Sequence, residues 1–428
     1  MRILASLMIC IFLAGCAHQQ TSSSARPDIV AKQKKITTNR VRSEPVRYSR
    51  TTDEAVKCSG ETFRCRASLR HHRAYHYRSR PPQRLREVFQ ERMTPAPAIK
   101  GVVPVYFATN RKVVNDGDLS VEKITYARSP SSTYGRVEVS IPGVHEIGQT
   151  ETPKANWFGF REKQDAGKHF VIQTISALTR EQLVSAMATP ADSLMLFVHG
   201  YNVSFQDAAF KAAQIAFDAR YKGRVMMFSW PSMAGYLDYD YDRESALVSS
   251  DALFDLLKMV KNEAKVSKVI VIAHSLGSEV LIGALQQASL SGAKLGISEL
   301  IFAASDVSAD LYLQRAEQIR GAADKVTLYA SSQDWALLAS LKKSRSTTRM
   351  GYVLKTGPTL VDGVETIDVS AVGADMFALN HSTFSSSRAV LDDIGRILMK
   401  GEHPPHDRTP TLRLMPDENH PKYWMYPK

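Results

Sequence analysis

Short apolar runs recur along this chain, separated by longer stretches in which apolar residues return at helical spacing. Residues 194–198, 224–229, 269–272, 300–304, 326–330 and 365–369 are such runs, rich in Val, Ile, Leu, Met and Phe. Several of them do not alternate with polar residues. Strands of that kind are buried on both faces, as in a parallel sheet with helices on each side. Earlier runs at 102–109, 136–141 and 170–175 also read as strands; the second alternates and then stops at Pro142-Gly143. The intervening spacing predicts helices over 204–219 and 243–262, and another opening at Ser278. Strand and helix thus alternate, and the expected class is α/β, with a mostly parallel central sheet and helices on both faces. There is no internal repeat.

The first hundred residues carry no such pattern. Arg2 gives a short positive start, residues 3–13 are apolar, and Leu13-Ala14-Gly15-Cys16 follows. The apolar run is too short for a stable membrane span and reads as a targeting segment. Leu-Ala-Gly-Cys resembles a bacterial lipobox, which implies that Cys16 is lipidated and becomes the first mature residue. Ala17, rather than aspartate, follows it, which in such lipoproteins implies an outer-membrane anchor facing the periplasm. The expected organisation is a signal peptide over 1–15, a tether over 16–100, a catalytic domain over 101–400 and a tail over 401–428. That tail, rich in Pro and His, is expected to loop over the surface.

Charge sharpens this division. The formal net charge is +12, yet residues 17–100 hold 19 Lys/Arg against 7 Asp/Glu, while 101–428 hold 35 against 36. The basic excess belongs to the tether. A segment with few aliphatics and that charge cannot offset its ordering entropy by burial. The neutral remainder argues against nucleic-acid binding. Residues 71–78 mix histidine, tyrosine and arginine. They fit contact with an anionic envelope polymer, metal binding by His71, His72 and His76, or a solvated linker. Of the four cysteines, Cys10 lies in the apolar run and Cys16 in the lipobox. Cys58 and Cys65 remain as a close pair, either a local disulfide in an oxidising envelope or two free thiols. No spacing reads as a zinc site.

The sharpest chemistry is Ala273-His274-Ser275-Leu276-Gly277, set between the 269–272 strand and the helix after it. Small-x-Ser-x-Gly between a strand and a helix reads as a nucleophile elbow. A serine at the apex of a strained turn brings the residues two before and two after it together, so both must be small. Ala273 and Gly277 meet that need. Such a serine requires a base, and the base requires an orienting acid, in the chain order Ser, acid, His. His381 follows the last strand and is the candidate base. The tail histidines His403, His406 and His420 lie in a polar segment expected to hold them poorly. Two acids compete. Asp334 follows the penultimate strand and is preferred; Asp306 is held in reserve, with a helix-capping role before residue 309 as its structural alternative. Oxyanion donors are expected at the Leu276 N–H and, from the loop His199-Gly200-Tyr201-Asn202, the Tyr201 N–H. His199 itself reads as structural. Trp230 and residues 236–242 fit either the pocket mouth or a surface loop.

Residues 102–400 resemble the α/β-hydrolase superfamily, and more narrowly the bacterial esterase-like group called domain of unknown function 900. The resemblance rests on 105–111, 198–202, 228–231, 242–245, 272–277 and Asn380-His381-Ser382. It implies the α/β-hydrolase fold and a serine nucleophile, and names no substrate. The expectation is an envelope-anchored serine hydrolase acting on a small-molecule or lipid carboxylic ester through Ser275, His381 and Asp334, with no metal and no organic cofactor. The alternatives are an acyltransferase using the same triad and a non-catalytic envelope scaffold.

Overall fold

The computed structural model describes residues 98–114, 117–154, 162–188, 193–235, 238–334, 337, 340, 348–372, 387–415 and 422–427. Cys16, Cys58, Cys65 and His381 lie outside the described residues. The chain opens with three strands, β1 (Ile99–Val113), β2 (Ile124–Pro142) and β3 (Val171–Leu178), and the helix α1 (Arg180–Ala188). The central units follow: β4 (Leu194–Val198), α2 (Phe205–Asp218), β5 (Arg224–Ser229), α3 (Tyr239–Met259), β6 (Val269–His274) and α4 (Gly277–Ser291). Next come β7 (Ile297–Ala303), α5 (Ala309–Gln314), α6 (Ala316–Ala322), β8 (Ala323–Ala330) and β9 (Glu365–Asp368). The chain closes with α7 (Ser387–Lys400), α8 (Pro405–Arg408), β10 (Arg413–Met415) and β11 (Tyr423–Met425).

Among the described residues, the eleven strands join one sheet in the order β10-β11-β9-β8-β7-β6-β4-β5-β1-β2-β3. From β11 to β1 every neighbouring pair is parallel. β2 and β3 extend one edge in antiparallel fashion, and β10 the other. The α/β class expected from sequence, a mostly parallel central sheet with helices on both faces, is what the chain adopts. The apolar runs fail to alternate because both faces are covered. Leu194, Leu196 and Val198 of β4 enter one core with Leu253, Leu256 and Leu257 of α3 and Val280, Leu281 and Leu285 of α4. Met195 and Phe197 enter the other, with Phe210 and Ile215 of α2 and Leu391, Ile394 and Ile397 of α7. Each of these side chains contributes about 1.5–3 kcal/mol on burial.

Local chemistry places the ends. Ser204 caps α2, its Oγ accepting from the Asp207 N–H at 3.1 Å. α3 runs into a single π turn over Val260–Ala264 and stops at Lys265, whose φ is 52°. α4 ends on Gly292 in the left-handed region.

Two expectations change here. The tail does not simply loop over the surface, since β10 and β11 extend the sheet beyond β9. His403 is not poorly held either. Its Nδ1 lies 2.7 Å from Glu365 and its Nε2 3.0 Å from Glu299, at the starting ends of β9 and β7. Beside it, the buried Arg408 donates to Asp393 at 3.0 Å and to Glu365 at 3.1 Å. Burial opposes the charge on His403, but the bonds to Glu299 and Glu365 outweigh it and raise the imidazole to about 9. A second histidine is gripped in the same way near the other edge. His145 lies 2.8 Å from Asp218 of α2 and 2.9 Å from Glu151. Burial again opposes its charge, and Asp218 and Glu151 again prevail, raising it to about 9.

Candidate active site

The strand order reverses its direction of growth at β4, with β5 on one side and β6 on the other. In an open α/β sheet, the crevice beyond the carboxyl ends of such neighbours is where ligands bind. The β4 end here carries His199-Gly200-Tyr201, and the β6 end carries Ser275.

Ser275 has φ 51°, in the left-handed region that a non-glycine residue occupies only under constraint. The constraint is visible. Its N–H donates to the Ala303 carbonyl of β7 at 3.0 Å. Its own carbonyl accepts from Ser278 at 3.1 Å and from Asp306 at 3.2 Å. The need for small neighbours is steric and exact in position. A Cβ on Gly277 would stand 2.2 Å from the His199 carbonyl oxygen and 2.7 Å from that of Val198. A Cβ on Gly200 would stand 2.8 Å from the Ser275 Cβ. Ala273 pairs with Val198 on one side and Phe302 on the other, fully buried. Leu276 is also buried and leads into α4.

The loop after β4 is built from buried polar groups. The His199 ring stacks on Trp230 at 4.8 Å, and the Trp230 indole N–H donates to the His199 carbonyl at 2.8 Å. Burial, reinforced by the Arg111 charge, holds this histidine well below its ordinary range, so it is neutral and structural as expected. Trp230 is fully buried and lines neither a pocket mouth nor a surface loop. Asn202 has φ 58°. Its N–H donates to Asp242 Oδ2 at 3.0 Å. The Ser232 hydroxyl donates to the same oxygen at 2.5 Å, and the Met233 N–H donates to Oδ1 at 2.8 Å. The Val203 N–H in turn donates to Ser232 Oγ at 3.0 Å. Arg111, at the end of β1, supplies the opposite half. Its guanidinium donates to Ser229 Oγ, the Ser232 carbonyl and the Val203 carbonyl at 2.8–2.9 Å. Burial lowers the Arg111 pKa to about 10 and raises that of Asp242. Tyr201 points its hydroxyl at the Gly235 carbonyl, 2.9 Å away, and sets its ring edge against Tyr239.

The two candidate acids have different surroundings. Asp334 follows β8 and is nearly buried; its Oδ1 accepts from the Leu337 N–H at 3.0 Å. Asp306 follows β7, and its main-chain N–H is bonded to Ser275, but its carboxylate is occupied. It accepts from the Ser340 hydroxyl at 2.7 Å and the Tyr239 hydroxyl at 2.9 Å. Arg349 Nε lies 3.1 Å from Asp306 Oδ1, an ion pair by distance though not an aligned hydrogen bond. Burial pushes Asp306 up and Arg349 opposes it. The capping role expected for Asp306 falls to Ser308, whose Oγ accepts from Leu311 at the start of α5. Arg243 faces Glu279 of α4 at 3.7 Å.

Arg111 and Asp242 entered the sequence reading only within the segments that carry the family resemblance, Asp242 also within 236–242, and neither was given a part in holding the site. Their signal was slight: an arginine ending an apolar strand, and an aspartate whose partners are remote in the chain. Among the described residues, no group of three or more His, Cys, Asp or Glu side chains is placed to hold a metal ion.

Comparison with known proteins follows from this geometry. A family model described as "Alpha/beta hydrolase of unknown function (DUF900)" matches residues 176–400. An uncharacterised protein of Nostoc sp. is 28% identical over 196 residues, which is 42% of this chain and 50% of that protein. The chain thus spans about half the length of that relative. Among solved structures, an esterase study from Rhizomucor miehei aligns with TM-score 0.35 and 10% identity, over 73% of this chain and 87% of that one. A thermostable carboxylesterase cloned from a metagenomic library aligns with TM-score 0.30 and 11% identity, over 76% and 98%. Likeness at this level bears on neither the substrate nor the mechanism of this chain.

Proposed function

The chain belongs to the DUF900 family of α/β-hydrolases, and from that premise we propose that it is a serine hydrolase of carboxylic esters. One observation carries the reading. Ser275 sits in a left-handed turn between β6 and α4, with Gly200 and Gly277 pressed where no side chain fits. A chain keeps a serine under such constraint where its hydroxyl must stand clear at the head of the sheet.

In this reading Ser275 Oγ attacks the ester carbonyl carbon while His381 takes its proton. The Leu276 and Tyr201 N–H groups hold the developing oxyanion. The carbon–oxygen bond to the alcohol breaks, and His381 passes the proton to the leaving oxygen. Water then attacks the acyl-enzyme, giving its proton to His381 and returning Ser275 to its free form. Asp334 orients His381 and stabilises its charged form. We further propose a lipid anchor at Cys16 on the periplasmic side of the outer membrane, with the basic tether close to anionic envelope polymers. Membrane fractionation of the wild type beside Cys16→Ser tests the anchor; equal fractionation would sink it.

The deciding experiment for the activity is intact-mass detection of a fluorophosphonate adduct on the folded chain, beside Ser275→Ala. A single adduct present in the wild type and absent from the variant is expected. No adduct on folded wild-type protein would overturn the proposal.

A further inference from the structure

Asp242 is fully buried at the first turn of α3, yet its bonds leave the helix altogether. All three go to two neighbouring loops at the carboxyl end of the sheet: Asn202 and, through Ser232, Val203 after β4, and Ser232 and Met233 after β5. Arg111 grips the carbonyls of the same segments, those of Val203 and Ser232. One ionised side chain takes donors and the other takes acceptors, so the backbone of both loops is fixed in direction as well as in place. Buried charge-assisted bonds are stronger than neutral ones, and unmade ones are costly.

We propose that Asp242 is a positioning residue for oxyanion stabilisation, a role that rests on the serine-hydrolase reading above. Gly200 lies beside Ser275, since a Cβ placed on it would stand 2.8 Å from the serine Cβ, and the Gly200–Tyr201 peptide starts there. The next two amides, of Asn202 and Val203, are tied back to Asp242 and Ser232, and Asn202 holds the left-handed φ this requires. With those two amides anchored, the preceding peptide has little freedom to turn. Its donor is therefore preorganised before the substrate arrives. Preorganisation is what makes a backbone N–H effective on a developing charge.

Asp242→Asn tests this in the full-length chain. The carboxamide keeps the shape but presents an NH2 group to a backbone N–H on one side or the other, so one anchor is lost. The readouts are the rate constant for fluorophosphonate labelling, the labelled end point, and kcat and KM on p-nitrophenyl butyrate. The expected result is a fall of about 100-fold in the labelling rate constant and in kcat, with KM little changed and labelling still complete. Ser232→Ala, which keeps the carboxylate but frees the Val203 N–H, should show a smaller fall in the same rate constants, and carries the test if Asp242→Asn does not fold. A purely structural role would lower the labelled end point and leave the rate constant per active molecule unchanged; that result overturns the inference. Wild-type rate constants in either folded variant overturn it as well, while the hydrolase reading stands. A wild type that takes no label overturns both.

Discussion

The crevice between β4 and β6 and the lock on the C-terminal segment both bury charge, but they use it differently. At the crevice, Asp242 and Arg111 spend almost all their bonds on backbone N–H and carbonyl groups and on serine hydroxyls. At the lock, His403 and Arg408 pair side chain to side chain with Glu299, Glu365 and Asp393. Backbone partners fix the direction of peptide groups, which the chemistry proposed at Ser275 needs. Side-chain partners fasten one element to another, which a terminal segment needs. The crevice should therefore govern rate, and the lock should govern stability.

The largest separation is expected at the two candidate acids. Asp334→Asn should lower kcat by about 10³–10⁴-fold with an unchanged melting temperature, because a carboxamide cannot hold the base in the productive tautomer. Asp306→Asn should instead lower the melting temperature, since Arg349 loses its buried countercharge. Steady-state kinetics and thermal melts on both variants decide the assignment, and the reversed pattern would transfer the acid role to Asp306. Next in size, Asp393→Ala leaves the buried Arg408 with one of its two carboxylate partners. A loss of about 3–5 kcal/mol is expected in urea unfolding, with turnover per folded molecule retained. Reduced turnover in that variant would mean that the two regions are not separable.

The smallest effect is in pH. His145 and His403 are both raised above the ordinary 6.5, to about 9. Their charged pairs are therefore fully present below about pH 6.5, and their contribution is lost as pH rises through 9. Up to about 3 kcal/mol per histidine is at stake. Stability should fall between those values, and His145→Gln and His403→Gln should each flatten the slope of a denaturation series. An unchanged slope in both would show that neither imidazole holds its proton in the fold.

Much of this architecture was legible in the chain. Helix α2 was read to its caps because Ser204 and the apolar repeat sit next to one another in sequence. The central strands were legible because burial on both faces erases alternation. The elbow was legible because its steric demand falls on Ala273 and Gly277, within two residues of the serine. What escaped depends on partners far along the chain. Asp242 and Arg111 leave no periodic trace, for their bonds join β1, the β4–α2 loop and α3. His403 was expected to be loosely held because Glu299 and Glu365 come next to it only in three dimensions. β10 and β11, three residues each, are too short for any period to show. Asp306 and Asp334 were separable by order in the chain, but not by environment.

Gly200 and Gly277 exclude side chains for linked reasons: the first faces Ser275 itself, the second the carbonyls of Val198 and His199. Neither can accept a methyl group unless the opposite strand end retreats, and that retreat would move the serine. The two positions are thus one heritable character written in two places. Among relatives that keep the serine they should stay glycine as a pair, and a grafting experiment that moves only the Ala273–Gly277 turn into another scaffold would carry half of the device.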